Sequence, residues 1–255
     1  MDATPRRIAL RVQYDGTDFH GWAVQSGLRT VQGTLIDTVR KALDPTAEVD
    51  GASRTDAGVH ARSQLAAVTL AHPIQPRGLV KALNARLPAD VSVLSAWEVP
   101  ANFQPRFESR GKTYTYRFYR SHAPHPLIER YAWRVPQVLD VDAMRAAAAH
   151  LLGTHDFLAF AATDLGQPTS VRTMWRFEFD ADATRMPWQL AVTVEGNAFL
   201  KQMVRNLAGT FYDVGRGLLA PEAVPVILAS LDRRRAGPTA PARGLTLERV
   251  WYDDP

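Results

Sequence analysis

Residues 7–16 read RIALRVQYDG and residues 30–43 read TVQGTLIDTVRKAL, and the change of period between them decides the fold class. In the first stretch Ile8, Leu10, Val12 and Tyr14 alternate, which predicts a half-buried strand ending in an Asp-Gly turn. In the second, Val31, Leu35, Val39 and Leu43 recur at helical spacing, and Thr30 stands where an N-cap belongs. Working outward, SQLAAVTL (63–70) reads as a strand, PRGLVKALNARL (76–87) as a short helix entered at Pro76, and DVSVLSAWEV (90–99) as another strand. NFQPRFESRG (102–111) is an irregular basic connector, and KTYTYRFYR (112–120) returns to strand alternation. Tyr114, Tyr116 and Phe118 then share one face, and Thr113, Thr115 and Arg117 the other.

Further on, Asp140 caps a predicted helix VDAMRAAAAHLL (141–152) that Gly153 closes. RTMWRFEFDA (172–181) and WQLAVTVEG (188–196) are strand-like. Asn197 opens a long predicted helix, AFLKQMVRNLAGTFYDVG (198–215), followed by a Pro-initiated helix (221–231) and a last strand, TLERVWY (246–252). Strand runs mixed with helices in both parts predict an α+β fold, with residues 1–105 as a first half and 106–255 as a second.

Composition narrows the class. A chain of 255 residues with 46% hydrophobic and 22% charged residues supports a real core. It has no apolar run of membrane-spanning length, and MDATPRRIAL at its start lacks the apolar stretch of a secretory signal. With no cysteine it has no disulfide, thiolate nucleophile or thiolate metal site, so a cytoplasmic protein is the simplest reading. The formal net charge is +4, but residues 106–134 alone hold seven Arg and Lys against two Glu. A basic stretch in a near-neutral protein points to a polyanionic partner.

Several segments carry candidate chemistry. GRGLLA (215–220) matches a dinucleotide-binding pattern, but a helix precedes it where that mechanism needs a strand, so its glycines read as a helix terminator. Asp56 and His60 lie four residues apart within turn chemistry with no further ligand pair nearby, which leaves a metal site unsupported; His155–Asp156 is equally isolated. In the long predicted helix, Phe199, Met203, Leu207 and Phe211 form an apolar stripe while Lys201 and Arg205 share another side. Arg205, flanked by Val204 and Leu207, calls for a carboxylate if buried, and Asp56 is the candidate. The strand at 112–120 interleaves aromatics with cations, a pattern suited to base stacking beside phosphates and equally to core packing. GASRTDAGVHA (51–61) reads both as an Asx-type turn before Gly58 and as a carboxylate held ionised beside Arg54.

These segments together resemble the tRNA pseudouridine synthases of the TruA type. The resemblance runs through YDGTDFHGW (14–22) with TVQGTL (30–35), SRTDAGVHA (53–61), GKTYTY (111–116), HDFLAF (155–160) with VRTM (171–174), GNAFLKQMVRNLAGT (196–210) with VGRG (214–217), and APARGLTLERVWY (240–252). It implies that Asp56 is the catalytic aspartate and that Arg54 and Arg205 position and pair with it. Tyr114 then stacks on the target uracil and assists proton transfer, and Leu245 is the apolar wall of the uracil pocket. His60, Lys112 and Lys201 are further substrate-binding candidates. Ser53, Ala23 and Lys201 depart from the commoner residues at their positions and bear on RNA contacts rather than on the reaction.

The implied reaction isomerises uridine to pseudouridine at positions 38, 39 and 40 of the tRNA anticodon arm. It consumes no energy source and requires no metal or other cofactor. The implied architecture is a homodimer whose mixed, mostly antiparallel sheet is flanked by helices, with two similar halves and an active-site cleft between them. Two rivals remain: a non-catalytic RNA-binding protein that uses the basic-aromatic strand, and a metal-dependent RNA-processing enzyme built on Asp56 and His60.

Overall fold

The alternation at the start of the chain becomes strand β1 (Arg6–Tyr14), where Ile8, Leu10, Val12 and Tyr14 are buried and Arg11 and Gln13 exposed. The computed structural model describes residues 4–162, 169–181 and 189–252. Helix α1 (Val31–Ala42), strands β2 (Glu48–Gly51) and β3 (His60–Leu70), helix α2 (Pro76–Asn84) and strand β4 (Val91–Val99) follow. Next come β5 (Gly111–Arg120), β6 (Trp133–Val135), α3 (Val141–Ala149), β7 (Gly153–Asp156), β8 (Val171–Asp180) and β9 (Gln189–Gly196). Helices α4 (Met203–Gly215) and α5 (Ala223–Ser230) and strand β10 (Leu245–Trp251) complete the order. Ten strands and five α-helices among the described residues make an α+β fold. The chain divides into two compact units, Met1–Arg110 with Leu247–Pro255, and Gly111–Thr246.

In the first unit the strand order is β4-β1-β3-β10, with β2 also on β3. β1 runs antiparallel to both neighbours, and its register slips after Arg11 against β4 and after Val12 against β3. Such irregularities bend a strand and re-aim its side chains, here just before the loop that follows Tyr14. Thr30 caps α1 as expected, its Oγ1 accepting from the Gly33 N–H at 3.3 Å, and α1 buries Val31, Leu35 and Val39. α2 starts at Pro76 and buries Leu79 and Leu83. Burying each of these side chains stabilises the unit by roughly 1.5–3 kcal/mol.

The second unit orders its strands β5-β9-β8-β7, antiparallel throughout, with the short β6 parallel to β5. The two faces of β5 divide as the alternation predicts, but both are covered. Tyr116 and Phe118 pack on each other and on Trp133, while Thr115 Oγ1 meets Thr193 Oγ1 at 3.1 Å. Asp140 caps α3 by accepting from the Ala143 N–H at 2.9 Å.

Two expectations need correction. α3 ends at Ala149 with His150 as its C-cap, so Gly153 does not close it; with φ +92° Gly153 starts β7 instead. The helix predicted from residue 198 begins only at Met203, because Gln202 is left-handed at φ 61° and breaks the helical run. Phe199 and Lys201 therefore lie outside α4, and the i, i+4 relation of Lys201 to Arg205 does not put them on one helix face. Met203, Leu207 and Phe211 remain its buried stripe. α4 ends at Gly215 and Gly217 follows at φ +74°, so the glycines of GRGLLA do terminate a helix. Trp188, read as the start of a strand, lies outside the described residues.

Candidate active site

The Asp56 loop, residues 52–59, joins β2 to β3 in the first unit, and the segment 14–22 that follows β1 holds it from behind. Tyr14 reaches it first, its hydroxyl 2.8 Å from Thr55 Oγ1. Trp22 N–H donates to Thr55 O at 3.1 Å, and Gly58 N–H donates to Phe19 O at 3.2 Å. Two glycines let the strands of chain come this close. A Cβ on Gly16 would stand 2.0 Å from Val59 O, and one on Gly21 would stand 2.6 Å from Thr55 O. From the β3 side, Gln64 is fully buried and brackets Ser53 with both ends of its amide: Oε1 accepts from Ser53 N–H at 3.2 Å and Nε2 donates to Ser53 O at 2.6 Å.

These bonds sort the loop's side chains by direction. Ser53, Thr55 and Val59 are buried, whereas Arg54 is exposed and Asp56 half-exposed. The turn itself is closed by Val59 N–H donating to the main-chain carbonyl of Asp56 at 3.2 Å, with Gly58 at φ +78° supplying the left-handed step. The loop is thus a rigid turn, and its two charged residues are the exposed Arg54 and the half-buried Asp56.

His60 is only 4% exposed, and its Nδ1 accepts from the Gly16 N–H at 3.0 Å. The same nitrogen lies 3.2 Å from Asp15 Oδ1, a contact that would need a proton on it. The fixed direction of the backbone N–H selects the lone pair, so Nδ1 acts as an acceptor and the ring braces the 14–22 segment. Among the described residues no three His, Cys, Asp or Glu gather as metal ligands.

Lys112, Tyr114, Lys201, Arg205 and Leu245 belong to the second unit. Tyr114 is buried on β5, and its ring meets Phe199 edge-on at 5.0 Å between centroids. This T-shaped pair fixes the ring plane. Lys112 is half-buried, Lys201 exposed, and Leu245 buried at the start of β10. Tyr116, two residues along β5, donates its hydroxyl to Pro241 O at 2.8 Å; burial pushes its phenol far above the usual range, against the weaker pull of Arg205 and Arg243. Burial thus favours the protonated phenol, which donates its hydrogen bond to Pro241 O.

Arg205 occupies the first turn of α4, where the helix dipole disfavours a cation. A tertiary contact holds it there. Its Nε donates to Ala240 O at 2.8 Å, and Ala240 N–H donates back to Arg205 O at 3.1 Å. The residue is half-buried, and its guanidinium is held at the Nε end by this bond.

Tyr14, Gly16, Gly21 and Trp22 lie in a motif whose purpose sequence reasoning did not find. The paired glycines within nine residues were the available signal. Asn206, Thr239 and Ala240 gave no signal at all, because their roles depend on contacts between distant segments.

Residues 10–108 and 147–253 match the family model described as tRNA pseudouridine synthase. The tRNA pseudouridine synthase A of Myxococcus xanthus is 44% identical over 248 residues, 97% of this chain and 92% of that protein. Those of Nitratidesulfovibrio vulgaris and Geotalea uraniireducens are 42% and 38% identical, over 96% and 97% of this chain and 99% and 100% of theirs.

Proposed function

Because the chain belongs to the tRNA pseudouridine synthase family, isomerases that turn uridine into pseudouridine, we propose that it modifies positions 38, 39 and 40 of the tRNA anticodon arm with Asp56 as the catalytic carboxylate. The observation that carries the reading is the Asp56 loop, fixed from behind by residues 14–22, with Arg54 and Asp56 as its charged residues. Preorganisation of this kind is what a group aimed at a reacting atom requires.

In the reaction the C1′–N1 bond breaks, the uracil turns, a C1′–C5 bond forms, the C5 proton leaves and N1 gains a proton. No electrons are gained or lost overall. The base must leave its stack to be reached, which calls for a snug pocket. We assign Tyr114 to stacking on the uracil and to proton transfer at C5, and Leu245 to the apolar wall. Arg54 and Arg205 are assigned to keeping Asp56 ionised and oriented. Lys112 and Lys201 supply cations for phosphates, and His60 acts through the shape it gives the loop. Three routes are open to Asp56: attack at ribose C1′, attack on the uracil ring, or proton abstraction at C2′. A deuterium isotope effect at C2′ singles out the last. We further propose a cytoplasmic homodimer, tested by its mass in solution.

The deciding experiment is release of label from C5 of uridine-labelled tRNA by the wild type and by Asp56→Asn. Release is expected to fall by at least about a thousandfold while tRNA binding is retained. Full activity in Asp56→Asn sinks the assignment, and a wild type that binds tRNA without releasing label favours a non-catalytic RNA-binding protein. Loss of activity on chelation would favour the metal-dependent rival.

A further inference from the structure

Three arginines follow Asp232, and they are used differently. Arg234 turns back onto Asp232, its Nη2 2.7 Å from the carboxylate. Arg233 turns inward instead. Its Nη1 donates to Ala236 O at 3.3 Å and Gly237 O at 2.9 Å, and its Nη2 to Asn206 Oδ1 at 2.9 Å and Thr239 Oγ1 at 3.0 Å. All four acceptors are neutral oxygens. A half-buried guanidinium held by uncharged groups bears a desolvation cost, and burial lowers its pKa accordingly.

What those bonds hold is the segment from Gly237 to Ala240, laid along the start of α4. Thr239 Oγ1 donates to Asn206 Oδ1 at 2.7 Å, and Asn206, fully buried, anchors its Nδ2 on Phe160 O at 2.8 Å. Gly237 N–H donates to Thr210 Oγ1 at 3.0 Å. Gly209 must lack a side chain, because its Cβ would stand 1.7 Å from Pro238 O. The segment ends at Ala240, whose carbonyl accepts the Nε–H of Arg205.

We propose that Arg233 is a positioning residue, aiming the Arg205 guanidinium through Asn206, Thr239 and the 237–240 segment. This rests on the reading of Arg205 as a working arginine of the active site. Arg233 itself is assigned no contact with substrate. Its effect is on the direction of a bond at Arg205, so its loss is felt in turnover rather than in tRNA affinity.

The test uses Arg233→Met, Arg205→Lys and the double variant. The Nε–H resonance of Arg205, assigned by its disappearance in R205K, reports the Ala240 contact directly. In R233M, solvent exchange at that Nε–H is expected to speed up by about tenfold or more. kcat is expected to fall by about tenfold with KM for tRNA within about twofold. The double variant is expected to be no slower than R205K, because Arg233 acts only through Arg205. Unchanged Nε–H exchange in R233M, or additive losses in the double variant, would overturn the proposal. Full turnover in R205K defeats the underlying reading of Arg205, a result separate from the exchange measurement. Should R233M fail to fold, Thr239→Val breaks the same link with a smaller change, and the same readouts decide.

Discussion

Gly21 sits at φ +88° with its α-carbon facing the backbone of Thr55, Asp56 and Ala57. Both facts oppose any side chain, one through backbone strain and the other through a collision with main-chain atoms that cannot swing aside. Gly21→Ala is therefore expected to destabilise the first unit by about 2–4 kcal/mol, read from urea unfolding. It is also expected to lower turnover in the part that stays folded, because relief of the collision displaces the residues that aim Asp56. At this scale the sequence was most informative where residue type is chemically irreplaceable. Asp56 with Arg54 stood out in the SRTDAGVHA run, and the structure adds the reason for that run's stiffness. His60 was legible as a special residue, but its use by Gly16 depends on a segment 44 positions away.

Elements with a clear period and a cap were legible from local pattern alone: β1, α1 with Thr30, α2 with Pro76, and α3 with Asp140. The short strands β2, β6 and β7 were not, since three or four residues hold too few alternations to be distinguished from a loop. The start of α4 was misread for a different reason. AFLKQMVRN has good helical spacing throughout, and only the left-handed Gln202 stops the helix from extending backwards. A tertiary bond, Ala162 N–H to Lys201 O, and a turn bond across it, Met203 N–H to Leu200 O, override local propensity there. The turn between α1 and β2 shows the opposite case, a side chain that fixes two elements. The Asp44 carboxylate accepts from Thr46 Oγ1 at 2.7 Å, Thr46 N–H at 2.8 Å and, across to the end of β3, Ala71 N–H at 2.5 Å. These bonds, the Thr46 hydroxyl foremost, hold its pKa below the ordinary carboxylate value. A depressed folded pKa stabilises above the unfolded value of about 4 and stops doing so as pH falls through the folded one. The urea midpoint of the wild type is thus expected to drop more steeply between pH 5 and pH 3 than that of Asp44→Asn.

For the molecule as a whole, the basic stretch at 106–134 is best judged by which of its cations face water. Arg106, Arg110, Arg120 and Arg130 are exposed, whereas Arg117 donates to Thr246 Oγ1 and Arg134 pairs with Glu129 while donating to His122 O. Charge counted along the sequence therefore overstates what is offered to a polyanion. Affinity for tRNA is expected to fall by at least about tenfold between 50 and 200 mM salt. Replacing Arg120 and Arg130 with Gln is expected to flatten that slope in a filter-binding titration, and Arg134→Gln to lower the melting temperature instead. The return of residues from 247 onward to the first unit was not legible, since no local pattern in TLERVWY reveals it. That return has a consequence for how the protein is made. The second unit is continuous in sequence and has all its strands once Thr246 has left the ribosome. The first unit, though synthesised earlier, has only β2, paired with residues 66–69, on the side of β3 away from β1 until β10 emerges. The part of that β3 edge beyond β2 is thus open throughout translation of the intervening 136 residues, Gly111–Thr246, a window in which nascent chains risk pairing with one another.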